Sequence, residues 1–295
     1  MNRHYKDVLN VKRLAPLCAG LVAAGVFLLP TSVMAQVYTM SNGGSTATIN
    51  VGNTGVLGMN SWTVGGVSGS QLNQQWFWYS VNGAAQQPIN TIGAASVFNF
   101  SSPASPIDNL GIEYQNAQLT VEVQYVLSGS GDNSGSADMM EDLSIVNNSA
   151  SSINLEFYQY SNFNLFQNNN NSVTIGGSPG AYTGATQTAN ASYGSGIAEV
   201  IDAPLANYAE AGFAPTTLNE LNSGSYYTLN DNTSAANGDV TWAFQWEALN
   251  LAPGAMLDIT KDKGLSITLT PEPSSLAFIV LGIGALGLSL RRKQA

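Results

Sequence analysis

From Leu119 to Leu127 the chain alternates. Leu119, Val121, Val123, Tyr125 and Leu127 fall on one side, and Thr120, Glu122 and Gln124 on the other. Successive side chains of a strand point to opposite faces, whereas a helix repeats every 3.6 residues. A period of two therefore specifies a strand with one buried face. The same pattern recurs where Ile153, Leu155 and Phe157 alternate with Asn154, Glu156 and Tyr158. It recurs again where Trp242, Phe244 and Trp246 share a face opposite Ala243, Gln245 and Glu247, a side the pattern assigns to solvent. Further apolar bursts predict strands at 47–51, 75–81, 95–100, 142–147, 172–175, 226–229 and 266–270. Clusters of Gly, Ser and Asn between them supply the turns. Helical periodicity is confined to a short stretch, 201–211, interrupted by Pro204. Short strands separated by polar turns predict an all-β, antiparallel, sandwich-like body. Residues 36–270 can build it as one sandwich; a division into two within 167–195 also fits.

The two ends differ from this body. Residues 1–35 carry Arg3, Lys6, Lys12 and Arg13, then an apolar run from Leu14 to Pro30 that closes on Val33-Met34-Ala35. A basic start, an apolar core and a small-x-small exit describe a secretory signal peptide, with cleavage between Ala35 and Gln36. The chain's single cysteine, Cys18, lies in that apolar core and reads as a small apolar residue.

Without the ends, residues 36–270 hold two lysines, Lys261 and Lys263, against seventeen carboxylates, a net charge of −15, and neither histidine nor cysteine. Several chemistries are thereby excluded from the body. It has no disulfide framework, no thiol nucleophile, no Ser-His-Asp triad and no common zinc site. It has no basic patch to release counterions from a nucleic acid, so a nucleic-acid partner is not expected. Carboxylate chemistry, oxygen ligation of calcium, and binding or structural roles remain.

Within those limits three groups of residues carry candidate sites. Asp132, Asp138, Glu141 and Asp142 lie in a Gly- and Ser-rich stretch that could supply oxygens to Ca2+, the one cofactor the composition admits. Their spacing departs from the twelve-residue EF-hand loop, and a solvated hairpin loop accounts for them without a metal. Trp76 and Trp78 would share one face of a strand and could form a platform on which sugar rings stack, unless both faces are packed. Glu113, Glu122, Glu156 and Glu247 lie in or beside strands, and a glycoside hydrolase can work with two carboxylates and no histidine. Nothing in the sequence pairs any two of them.

The C-terminal segment is a separate device. Pro271-Glu272-Pro273 is followed by an uncharged run from Leu276 to Leu290 and then by Arg291, Arg292 and Lys293. A run of this length approaches the lower limit for one spanning helix, and a basic cluster just beyond it stays cytoplasmic. This order of parts resembles the PEP-CTERM sorting signal. The resemblance covers about 25 residues. It implies recognition of Pro271, Glu272 and Pro273 by an exosortase-type processing enzyme, a short transmembrane helix, and Arg291, Arg292 and Lys293 as the membrane stop. It also implies export in a Gram-negative-type bacterium, passage through an inner-membrane intermediate, and a place at the cell surface or in the extracellular matrix.

The expected organisation is thus a signal peptide at 1–35, an acidic β-rich extracytoplasmic body at 36–270 and a sorting segment at 271–295. The leading expectation is a non-enzymatic surface or exopolysaccharide-matrix protein of biofilms, with extracellular polysaccharide as a partner. A carbohydrate-binding module using Trp76 and Trp78, and a carboxylate-only glycan hydrolase or lyase, are the alternatives.

Overall fold

The structure, a computed structural model, describes residues 36–190 and 196–267. The expected signal peptide and its cleavage position at Ala35, the sorting motif, the apolar run and the basic stop lie outside the described residues. Among the described residues no helix is long and apolar enough to cross a membrane.

The chain opens with β1 (Val37–Asn42), β2 (Ser45–Asn50), β3 (Gly58–Thr63), β4 (Leu72–Val81) and the two-residue β5 (Gln87–Pro88). There follow β6 (Ala95–Asn99), β7 (Asn109–Gln115), β8 (Leu119–Gly129), β9 (Ser136–Asn147) and β10 (Ile153–Phe163). Next come β11 (Asn171–Ser178), β12 (Ala181–Ala189), β13 (Gly196–Ala203) and β14 (Tyr208–Phe213). A short helix, α1 (Thr216–Leu221), precedes β15 (Ser234–Gly238), β16 (Val240–Leu251) and β17 (Met256–Ser266). One sheet runs β1-β2-β3-β4-β10-β16-β14, with β5 beside β4; the other runs β15-β11-β12-β13-β17-β9-β8-β7-β6. Every described pairing is antiparallel. The first hairpin shows local chemistry setting register. Gly43 and Gly44 both take positive φ, +46° and +76°, as a two-residue turn between right-twisted strands requires.

The nine-stranded sheet keeps the alternation read from the sequence. Along β8 and β9 every second residue is buried. The other sheet does not: β10 is buried on both faces from Leu155 to Phe163, and β16 from Val240 to Trp246. Phe157, Phe163, Trp242 and Trp246 face the opposing sheet; Phe77 stacks on Phe157 at 5.7 Å and Phe163 on Trp242 at 5.4 Å. Such pairs contribute about 0.5–1.5 kcal/mol each beyond area burial. The other face of β10 and β16 is covered by α1 and the loop after it. Trp78 donates Nε1–H to Asn222 Oδ1 at 3.0 Å, and the Tyr158 hydroxyl lies 3.0 Å from the Tyr227 carbonyl. Ala243 and Gln245, which the alternation assigned to solvent, are consequently buried.

Three segments differ from the sequence reading. Residues 201–211 are not helical: they hold the end of β13, Pro204 and the start of β14, because Ile201, Ala209 and Ala211 take inward strand positions. Residues 226–229 do not form a strand, because side chains take their backbone groups. Gln86 Oε1 accepts from Tyr227 N–H and Gln245 Oε1 from Leu229 N–H, both at 3.1 Å. The last strand begins at Met256 and ends at Ser266, where the sequence suggested one would start.

Candidate functional site

The structure sorts the carboxylates into three environments, each fixed by strand register. The first is in the core. β17 lies between β13 and β9, with Lys263 opposite Glu199 and Lys261 opposite Glu141. All four side chains point inward and are buried. Lys263 Nζ is 2.7 Å from Glu141 and 3.3 Å from Glu199; Lys261 bonds Glu141, lies 3.5 Å from Glu199, and sits 5.0 Å above the Phe77 ring. Glu199 also accepts from Gln159 Nε2 at 2.7 and 2.8 Å and from Trp242 Nε1 at 2.6 Å. Burial alone would raise the Glu199 pKa, but Lys263, Lys261, Trp242 and Gln159 outweigh it and hold it below the ordinary carboxylate value. Burial likewise opposes the charge on Lys263, and Glu141 and Glu199 reverse that to a raised pKa. The sequence carried one signal of this arrangement: in the alternation Ile259, Lys261, Lys263, Leu265 the lysines occupy inward positions.

The second environment is the outer face of the smaller sheet. Glu156 on β10 stands directly opposite Glu247 on β16. Opposed residues of this kind have Cβ atoms about 5 Å apart. Glu156 is nearly buried, and each of its oxygens accepts a tyrosine hydroxyl, Tyr226 at 2.7 Å and Tyr158 at 3.0 Å. Glu247 is half-buried, and burial followed by repulsion from Glu156 raises its pKa. Beside them Glu210, also buried, accepts from Thr217 and Tyr227, each at 2.6 Å. These glutamates anchor the 216–230 segment to the sheet.

The third is the outer face of the nine-stranded sheet, where Glu113 of β7 stands opposite Glu122 of β8. A depression of about 320 Å³ is lined by Glu122, Gln124, Asp142, Ser144, Asp258 and Thr260. Burial, and then Glu113, raise the Glu122 pKa. At the sheet's other end burial, a shared hydrogen bond with Asp262 and repulsion from it push Asp138 up to about 7.

The expected calcium group is taken apart by this arrangement. Asp132 remains in the turn, while Asp138, Glu141 and Asp142 belong to β9 rather than to a loop. Glu141 points into the core onto the lysines, whereas Asp138 and Asp142 point outward. Among the described residues no three carboxylates converge to hold a metal ion. The tryptophan platform is corrected too. Trp76 and Trp78 are 0 % and 2 % exposed; Trp76 meets Tyr114 edge-on at 6.2 Å and Trp78 meets Tyr160 at 6.3 Å, so neither offers a ring face to a sugar. Of the four strand glutamates the structure makes two facing pairs, Glu156 with Glu247 and Glu113 with Glu122, which only the register could reveal.

Residues 269–293 match the model of the PEP-CTERM protein-sorting motif. The chain carries that motif at its C-terminal end, as the order of its parts indicated. No curated protein matches the chain. Among solved structures it is similar to a bacterial glucoamylase complexed with acarbose, with a TM-score of 0.52 and 10 % identity, over 85 % of this chain and 35 % of that one. The chain thus spans about a third of the glucoamylase, and at this identity the likeness is one of fold. A putative aldose 1-epimerase from Escherichia coli K12 aligns with a TM-score of 0.47 and 11 % identity, over 80 % of this chain and 100 % of that one.

Proposed function

We propose that this is an exported protein, processed through its PEP-CTERM segment by an exosortase-type enzyme, whose body serves at the cell surface or in the extracellular matrix as a structural component and not as an enzyme. The sorting motif supports the route. One observation about the body supports the role: both lysines, the four buried glutamates and the tryptophans are used in holding the fold. Both lysines neutralise Glu141 and Glu199 in the core. The oxygens of Glu156 and Glu210 are occupied by tyrosine and threonine hydroxyls. All five tryptophans are packed. The charged groups of the described body that face solvent are carboxylates, set among amide, hydroxyl and scattered apolar side chains such as Phe98 and Phe100, and their charge repels acidic polymers.

A second reading has one feature in its favour. Glu247 faces Glu156 across two strands and has a raised pKa, as a general acid beside a second carboxylate would. One experiment separates the two. Purified full-length protein is incubated with neutral and acidic soluble polysaccharides while reducing ends are measured. The structural reading predicts no release. Release that disappears in Glu247→Gln would overturn it and establish the second.

A further inference from the structure

Charge is segregated along this chain. No charged side chain occurs between Gln36 and Ile107, so strands β1 to β6 are neutral, and the seventeen carboxylates of the body begin at Asp108. One of those neutral strands, β6, forms an end of the nine-stranded sheet.

Of the other sheet ends, β14 and β15 meet each other, and β1 is bonded at one point of its outer edge. Phe213 of β14 lies against Gly238 of β15, where an added Cβ would meet the ring at 2.6 Å, and Ala214 N–H donates to the Asp239 carbonyl. In β1, Ser41 N–H donates to the Ile107 carbonyl. Among the described residues β6 has a single strand partner, β7. Phe100 N–H bonds the Asn109 carbonyl at 3.0 Å, continuing that ladder. Antiparallel pairs alternate between hydrogen-bonded and open. The pairs Phe98/Gly111 and Ser96/Glu113 are therefore the bonded ones, and Ala95, Val97 and Asn99 turn their N–H and C=O groups away from β7.

Free edges are ordinarily blunted by lysine, proline, inward charge or a bulge. β6 has none of these: its residues are Ala, Ser, Val, Phe and Asn, and its register with β7 is unbroken. On the outer face beside this edge, Phe98 and Phe100 are 42 % and 52 % exposed and stacked on each other at 6.2 Å.

We propose that β6 is a self-association edge, pairing antiparallel about Val97 with β6 of a second copy. Such pairing is self-complementary, as a two-fold interface must be. Val97 meets Val97, Ala95 meets Asn99, and the outward backbone groups of one copy find those of the other. Ser96 of each copy then faces Phe98 of its partner. Charge selects the occupant. A cationic partner would find its counter-charges elsewhere, while a second copy, whose residues 36–270 carry −15, is least repelled where neither surface is charged. The nearest carboxylate in the ladder, Glu113, is one strand in. Across the joined sheets the two Glu113 side chains would stand three strand spacings apart, about 14 Å, beyond the Debye length of about 8 Å. A single strand pair buries little area, so the association is weak and belongs to high local concentration. The inference stands whether or not the body has an activity.

Sedimentation velocity on the full-length chain in non-ionic detergent, over a concentration series, tests this. Wild type should form a dimer as concentration rises. Ala95→Pro, which removes one outward N–H at a position where an edge strand accepts proline, and Ser96→Glu, which sets a carboxylate against Phe98 of the partner, should abolish it with thermal unfolding unchanged. Hydrogen exchange on wild type supplies a readout independent of the variants: the Ala95, Val97 and Asn99 amides should slow as concentration rises. A wild type that stays monomeric, a dimer that survives both substitutions, or amides indifferent to concentration would each overturn the proposal.

Discussion

Replacing Lys263 by Met tests the core quartet most sharply. Met occupies similar volume, so cavity formation is small and the electrostatic consequence dominates. Lys263 Nζ lies 2.7 Å from Glu141 and 3.3 Å from Glu199, and nothing in the core can take its place except Lys261. Two buried carboxylates would then share one ammonium. Leaving one buried charge without its partner costs about 3–5 kcal/mol. For a domain of this size each kcal/mol moves the melting temperature by about 2–4 °C, so the loss should be about 6–20 °C. The double variant Lys263→Met with Glu199→Gln restores neutrality, and the new amide can still accept from Trp242 and Gln159. It should therefore be less destabilised than the sum of the single variants, with a coupling of about 0.5–3 kcal/mol. Urea unfolding of the four proteins at pH 7 closes the cycle. A single variant that costs less than about 1 kcal/mol, or an additive cycle, would refute the reasoning. Acid offers an independent check. Glu199 is held below its ordinary pKa, so its contribution is complete above that value and is lost as pH falls through the lowered one.

Asp138 has the opposite sign. Its pKa is raised from 3.8 to about 7, so the folded state disfavours its ionised form, and the penalty grows as pH rises from about 4 to 7. Asp138→Asn should raise stability at pH 7 by about 1 kcal/mol, discounted for its partial exposure, and leave it unchanged near pH 3.5; thermal melts at both pH values check this. Gly58→Ala should destabilise by about 1–3 kcal/mol, since Gly58 has φ +79° and an added Cβ would fall 2.3 Å from the Gln75 carbonyl oxygen; chemical unfolding measures it. Glu272→Gln should alter processing and location of the chain while leaving the melting temperature of the body unchanged, as fractionation and calorimetry would show.

The strands were legible where one face is wet. β8 alternates as the sequence reading has it, because solvent on one side enforces a period of two. β9 and β17 alternate too, yet the sequence reading starts the first only at 142 and places the last strand at 266–270. Legibility failed where a loop covers the second face. Gln245 and Ala243 look solvated by pattern, but the 216–230 segment packs over them, and that segment is held by nearby Glu210 and by Gln86 and Glu156, far away in sequence. The sites failed for a related reason. Spacing along the chain grouped Asp138, Glu141 and Asp142, whereas alternation in β9 sends Glu141 to the core and its neighbours outward. The pairs that matter are set by register between strands. Those separations reach 91 residues for Glu156 and Glu247 and 120 for Lys261 and Glu141, which a local pattern does not encode.

Placing both lysines in the core has a consequence at the surface. Had they been exposed, they would have offset two of the seventeen carboxylates and given each copy a cationic patch complementary to the acidic faces of the next. Non-specific electrostatic association between copies would follow. Buried, they hold Glu141 and Glu199 in place, and two acids that would have faced water are neutralised where hydrophobic residues alone could have packed. Burial of such ion pairs is weak evidence of stability. Its effect here is on what remains outside: among the described residues, an exterior whose only charges are negative and confined to residues after 107. Copies of such a body repel one another through most of their surface and can meet at the neutral edge. Salt supplies the discriminating measurement, because screening relieves repulsion but leaves strand pairing intact. Self-association should strengthen as ionic strength rises from about 0.01 to 0.15 M, over which the Debye length falls from about 30 to 8 Å. Association that weakens with salt would mean that opposite charges hold the copies together, and would contradict both the burial of the lysines and the edge assignment.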